Sequence, residues 1–170
     1  MLKGLNKYLV ENKYQSTFEL ANENIFYDRL LIQYFAVING QNTYWPIEIG
    51  KIPFGDDSLN GLTLLQIYTP IVGDISVNNY LPTCDIVAKI NPKLTLGCFG
   101  FLDSHKLIFF KHNIIFTDQD FDHNCVIIDK TLSIMFYMLE NFQKALVDVA
   151  HGKSTVDDAM DEMPLNYIYK

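Results

Sequence analysis

The chain has 170 residues, of which 49% are hydrophobic, 14% aromatic and 19% charged, and its net charge is −7. So apolar a composition excludes general disorder, and a charged fraction below the roughly 25% usual for soluble domains leaves little polar surface to cover a monomer. Arg29 is the single arginine and the lysines are scattered, whereas phosphate binding needs clustered cations, so neither nucleic acid nor an anionic membrane surface is an expected partner.

Cys84, Cys98 and Cys125 are odd in number and show no Cys-x-x-Cys spacing. The opening MLKGLNKYLVENKYQ lacks the continuous apolar core of a secretory signal, and no run reaches the ~18 apolar residues of a membrane span. A cytoplasmic location with reduced thiols is therefore the expectation.

Residues 2–14 place Leu2, Leu5 and Leu9 opposite Lys3, Asn6, Lys7 and Glu11, which predicts a short amphipathic helix. From Phe18 to Ile38 both alternating sets are largely apolar, as in a central strand covered on both faces or covered by a second subunit on one, with Asn22-Glu23-Asn24 able to split it into a short strand and a long one. The next strand, Tyr44 to Ile52, points Trp45, Ile47 and Ile49 one way, and Pro46 favours an edge or a bulge there. After the loop from Pro53 to Gly61, Leu62 to Val72 forms a third strand. Ile75 to Ile90 has helical spacing with Asp74 or Ser76 as its cap, and Pro82 needs either a place in the first turn or a break that leaves the helix in two pieces.

The segment LTLGCFGFLDSHKLIFFKHNIIF, Leu94 to Phe116, reads as a hairpin turning at Asp103-Ser104-His105, and the rest of the chain is arranged to cover it. Thr117 to Asn124 is a polar, acidic connection. Leu132, Met135, Phe136, Leu139, Phe142, Leu146 and Val149 then form the stripe of a long helix from Lys130 to about Ala150, capped by Asp129 and ended at Gly152. Ser154 to Asp158 begins a short terminal helix. The fold class is α+β: a twisted antiparallel sheet of about five strands packed by helices, in the order α-β-β-β-α-β-β-α. The whole of 1–170 makes one domain, with 153–170 as the short helix and a loosely held tail.

Four constellations suggest chemistry, and each has a plainer structural reading. Asp118, Asp120, Asp122 and Asp129 occupy loop positions one, three, five and twelve of a calcium-binding EF-hand, but His123 stands where the turn needs glycine. A solvated acidic loop is the better reading. His105, His112, His123 and His151 include no i, i+4 pair to share a metal with Asp103. Cys98 reads as a small core side chain on a strand, and Gly97 and Gly100 as relief where a helix crosses the sheet. No phosphate-cradling glycine loop, dinucleotide fingerprint or nucleophile elbow occurs. We therefore expect no catalytic residue, no metal and no cofactor.

Neighbours on a strand alternate in direction, so Phe99, Phe101, Phe109, Phe110, Ile114, Ile115 and Phe116 cannot all face one helix layer. The expected partner-binding surface is Phe99, Phe101, Phe109 and Ile115, with Trp45 and Ile47 beside them. The alternative is a small enzyme or ligand-binding domain with a pocket between the sheet and the long helix, using His105, His112 or Asp103.

Over residues 2 to 150 the chain resembles the type III secretion chaperone-like group, including the YbjN-like family of sensory-transduction regulators. The resemblance is carried by the element order, by IVAKIN at 86–91 leading into LTLGCFGFLDSHKLIFF, and by the long closing helix. It implies a non-catalytic, chaperone-like or regulatory protein, homodimeric, that holds a client protein. The chain departs from the group in its length, in its 16–38 segment and in placing Pro82 within the helix used by known dimers.

Overall fold

A computed structural model describes residues 1–23, 25–38, 41–52 and 62–163. The chain is mixed α+β, with helices packed on a six-stranded antiparallel sheet that is not closed into a barrel. In chain order the elements are α1 (Leu2–Glu11), β1 (Gln15–Glu19), β2 (Arg29–Ile38), β3 (Gln41–Lys51), β4 (Leu62–Val72), α2 (Tyr80–Ile90), β5 (Cys98–Leu102), β6 (Leu107–Thr117), α3 (Phe121–Ala150) and α4 (Val156–Asp161). The spatial order is β1-β2-β3-β4-β6-β5. The sixth strand arises because the 18–38 stretch does divide. Residues 22 and 25 form an isolated bridge, and β1 folds back on β2 with Thr17 opposite Leu31.

The three helices that meet the sheet do so on one face. Tyr34 of β2 stacks on Phe136 of α3 at 3.8 Å between ring centres, and Phe99 of β5 meets Phe142 edge-on at 6.5 Å. Tyr80 at the start of α2 meets Phe101 of β5, and Asn6 of α1 accepts from the Ser16 hydroxyl on β1. The inward set Leu30, Ile32, Trp45, Ile47, Ile49, Leu65, Ile67, Ile108 and Phe110 is buried. Of the two readings of β2, cover on both faces within the chain is excluded: its alternate residues Gln33 and Phe35 are exposed.

Pro46 does not lie on an outer strand, yet the rule behind that expectation holds. β3 pairs with β2 along its whole length but with β4 only from Glu48 to Lys51, so the missing Pro46 N–H falls where β3 has one neighbour. α2 is continuous from Tyr80, preceded by a 3-10 turn at Val77–Asn79, and Pro82 sits in its first turn, where a missing N–H costs nothing. Neither Asp74 nor Ser76 caps it. Asn79 stands at the cap position and instead donates its side-chain amide to the Ala150 carbonyl at 2.9 Å, closing the far end of α3.

α3 begins at Phe121, nine residues before the expected start. Cys125 and Ile128 extend its buried stripe, and the side-chain amide of Asn124 donates to the Thr117 carbonyl at 2.6 Å. The acidic string is therefore a 3-10 turn and the first turns of a helix. Asp129, expected as a cap and as a twelfth loop ligand, lies inside α3 and accepts the Tyr14 hydroxyl at 2.7 Å. At the other end Gly152 adopts φ +68°, the left-handed conformation that terminates helices, as its position predicts. Thr155 caps α4 by accepting from the Asp158 N–H. The predicted tail, from Pro164 onward, and the loop from Pro53 to Gly61 lie outside the described residues.

Candidate binding surfaces

The six side chains expected to face a partner are divided between the two sides of the sheet. Trp45, Ile47 and Phe99 are buried in the chain's own core. Phe101 also turns inward, half-buried against Tyr80 at 4.9 Å. Phe109 and Ile115 point to the open face, and Ile115 is 63% exposed. The cause is register: Phe99 pairs with Phe110 and Phe101 with Ile108, so these four share the inward side. The helices thus shelter more of the aromatic hairpin than its composition suggests.

The open face has an order of its own. Arg29 is held by Glu19 at 2.8 Å and Glu48 at 2.6 Å, linking β1, β2 and β3. Tyr27 donates to Glu48 and lies over Gly50, where a Cβ would stand 2.8 Å from its ring. This hydrogen bond, with partial burial, pushes the Tyr27 hydroxyl up to about 12. Phe109 lies over Gly100 in the same way and stacks on Tyr68 at 5.5 Å. Gly100 thus makes room for a ring on the open face, not for a crossing helix. Gln66 donates to Asn113 at 3.1 Å, and beyond that pair Leu64 stands opposite Ile115, followed by exposed Leu62. The face is a polar centre with an apolar end.

Cys98, expected in the core, is exposed opposite Lys111, because its neighbour Phe99 takes the inward position. The edge of β5 is occupied at one point. The side-chain amide of Asn91 accepts from the Phe99 N–H at 2.8 Å and donates to the Phe99 carbonyl at 2.9 Å, as a residue of a neighbouring strand would.

The more exposed apolar surface is one that the sequence reading left out. The side of α2 bearing Thr83, Ile86, Val87 and Ile90 is buried, so its outward side carries Leu81, Cys84 and Ala88, continued by Val77 in the preceding turn. Steps of four, three and four put these on one stripe. Leu81 is 84% exposed and Val77 67%. The signal was readable: the 75–90 segment has apolar residues at both sets of helical positions, more than one buried face needs. Lys89 flanks the stripe, bound to Asp157 of α4 at 3.0 Å and to Asp85 at 3.4 Å.

The groups named for an alternative pocket stand apart. Asp103 and His105 are exposed in the hairpin turn, where the His105 ring shares a hydrogen bond with Ser104 at 2.9 Å. His112 faces inward from the middle of β6, and burial holds its imidazole below the usual range. Between the sheet and α3 lie the buried side chains of Leu132, Met135, Leu139, Phe142 and Leu146. Among the described residues no three His, Cys, Asp or Glu side chains are grouped to hold a metal, and no helix is long and apolar enough to cross a membrane. No protein-family model matches the chain, and none of the curated proteins matches it in sequence.

Proposed function

We propose that this chain is a non-catalytic protein-binding module, chaperone-like or regulatory, that pairs with a second copy and holds an apolar segment of a client protein. The observation that carries the reading is the outward stripe of α2: Leu81 on the helix and Val77 in the turn before it face solvent, while the helix's opposite side is packed into the core. An isolated exposed leucine is ordinary, but four small or apolar residues in register along a rigid helix suit a helix from another chain. The pairing surface assigned here is this stripe, which lets two copies meet about a twofold axis. The client is assigned to the apolar end of the open sheet face, around Leu62, Leu64 and Ile115. The resemblance of the 86–110 stretch and of the long closing helix to the type III secretion chaperone-like and YbjN-like proteins supports the same reading, with β1 as an added strand, as does the low charged fraction. Three cysteines without a pairing pattern accord with work in the cytoplasm.

Sedimentation equilibrium of the chain and of its Leu81→Lys variant tests the pairing. A dimer that dissociates on the substitution is the expected result, and a chain that stays monomeric over the accessible concentrations refutes it. For the client, a photo-reactive side chain placed at Ile115 should cross-link partner protein in cytosol, while one at Gln15, at the sheet's opposite border, should not. Equal labelling from both positions would refute the assignment.

A further inference from the structure

We propose that the fold carries a hinged flap: α1, β1, β2 and β3 swing as one body about the short ladder at Glu48–Lys51, away from β4 and α3, and bare Trp45 and Ile47. The inference is independent of the pairing and client surfaces above and starts from two prolines. β3 and β4 pair with Glu48 opposite Tyr68 and Gly50 opposite Gln66, and the Ile52 N–H donates to the Leu64 carbonyl at 2.9 Å. That bond marks 52 and 64 as a hydrogen-bonded pair, and in an antiparallel ladder such pairs recur at every second residue. The following ones are 50 with 66, 48 with 68 and 46 with 70. Both members of the last are proline, so neither has an N–H to give, and the ladder stops at Glu48 and Tyr68. By the same parity neither proline nitrogen faces its other neighbour. The pairing of β3 with β2 continues past Pro46 without a break, and that of β4 with β6 continues past Pro70 with one bulged residue. The interruption belongs to the β3–β4 seam alone.

The polar contacts respect the same division. Arg29 is bound to Glu19 and Glu48, Tyr27 to Glu48 and Ser16 to Asn6, all within the first body. Gln66 with Asn113 and Asn91 with Phe99 lie within the second. Among the described residues no side-chain hydrogen bond, ion pair or ring stack runs from α1, β1, β2 or β3 to β4, α2, β5 or β6. α3 spans both bodies. It is fixed to the second near each end, by Asn124 on Thr117 and by Asn79 on Ala150. To the first it is hydrogen-bonded through two tyrosines: Tyr14 donates to Asp129 at 2.7 Å and Tyr34 to Glu140 at 2.5 Å, with both rings against Phe136. Phe121 also lies over Gly4, a contact of ring and backbone with no polar bond. Continuing the β1–β2 register sets Tyr14 beside Tyr34, and Tyr34 pairs with Trp45, next to Pro46. Both tyrosines therefore act as latches at the parted end of the seam, with the ladder as the hinge at the other.

Trp45 supplies the reporter. It is 1% exposed, and its indole N–H has no partner in the closed form. A buried donor left unpaired is costly, and nearly all such groups find an acceptor. Opening the flap gives this one water.

The test is native-state hydrogen exchange of the Trp45 indole N–H in the full chain, followed by nuclear magnetic resonance at low urea concentrations. The expected protection is at least ~10-fold below that of the Leu65 and Ile67 amides, which belong to the β4–β6 ladder, with a smaller urea slope, as for a partial opening. Tyr14→Phe and Tyr34→Phe should each speed the indole about five- to tenfold, the worth of one hydrogen bond. Asn91→Ala, at the far edge of the sheet, weakens the fold as a whole; it should speed the Leu65 and Ile67 amides and leave the indole as it was. Pro46→Thr combined with Pro70→Thr restores two donors to the seam and should slow the indole about tenfold. Three results overturn the proposal: an indole with the protection and urea slope of Leu65 and Ile67, an indole that Asn91→Ala speeds as much as the tyrosine variants do, and an indole that the tyrosine variants leave unchanged.

Discussion

Replacing Asn91 by alanine probes how this sheet protects its edge. An edge strand offers unpaired N–H and C=O groups to any other chain, and natural sheets blunt such edges. Here one carboxamide, at the turn that ends α2, satisfies both outward groups of Phe99 at 2.8 and 2.9 Å. Each bond is worth about 1 kcal/mol net, so alanine should cost about 2 kcal/mol if the site stays dry and about half that if water enters. For a chain of this size, at roughly 2–4 °C per kcal/mol, the melting temperature should fall by about 2–8 °C. Asn91→Asp keeps the acceptor but sets a carboxylate against the Phe99 carbonyl, and should be at least as costly. Urea unfolding followed by the emission of Trp45, the single tryptophan, measures both. An alanine variant within ~0.3 kcal/mol of the parent, a difference expected of an inert surface change, with an unaltered slope would refute the clamp.

Other expectations follow from the same coordinates. Leu81→Lys should weaken self-association by two to three orders of magnitude: each copy withdraws about 1.5–2 kcal/mol of buried leucine, and a twofold interface counts it twice. Around Asp129 burial favours the neutral acid, but the Tyr14 hydroxyl and the Lys130 ammonium outweigh it and leave the carboxyl below its usual range. Its contribution is therefore present above about pH 4 and lost as the pH falls through the lower folded value, and Tyr14→Phe should shrink the loss of urea midpoint in that window. Burial lowers the His112 imidazole, so protonation favours the unfolded chain and stability should decline as the pH drops below about 6.5; His112→Leu should flatten that earlier slope. Burial, followed by its bond to Glu140, raises Tyr34 to about 12. The stabilisation from that raised value is intact below about pH 10 and lost as the pH climbs toward 12, and Tyr34→Phe should reduce the alkaline loss seen in a melting series.

Placement of the aromatic residues separates what each level of description can decide. Trp45 and Ile47 looked available to a partner because their strand was apolar on alternate positions, and nothing in one dimension says which side of a strand the helices take. The structure buries both in the core, with Trp45 stacked on Tyr34 at 5.6 Å and Tyr34 in turn stacked on Phe136. The early start of α3 escaped for a similar reason. Asp120, Asp122 and His123 are exposed there, and only the burial of Cys125 and the Asn124 bond to Thr117 mark the first turns as helix. The outward stripe of α2 was missed differently, since its apolar residues were counted toward a single face.

What the sequence by itself determined is the alternation of elements: the period of 3.6 at 2–11, 80–90 and 132–149, the period of two in the strands, the hairpin at Asp103 to His105 and the stop at Gly152. These are local, because each depends on residues a few places apart and on backbone preferences that act before the chain is packed. Only the tertiary structure decided that all the helices lie on one side of the sheet, that Asn91 closes the edge at Phe99, that Asn79 closes α3 at Ala150, and that Phe109 and Ile115 look outward while Phe99 looks in. Those outcomes turn on strand register and on pairs of residues 8 to 71 places apart. A shift of one position would reverse the facing of a whole strand without changing its pattern.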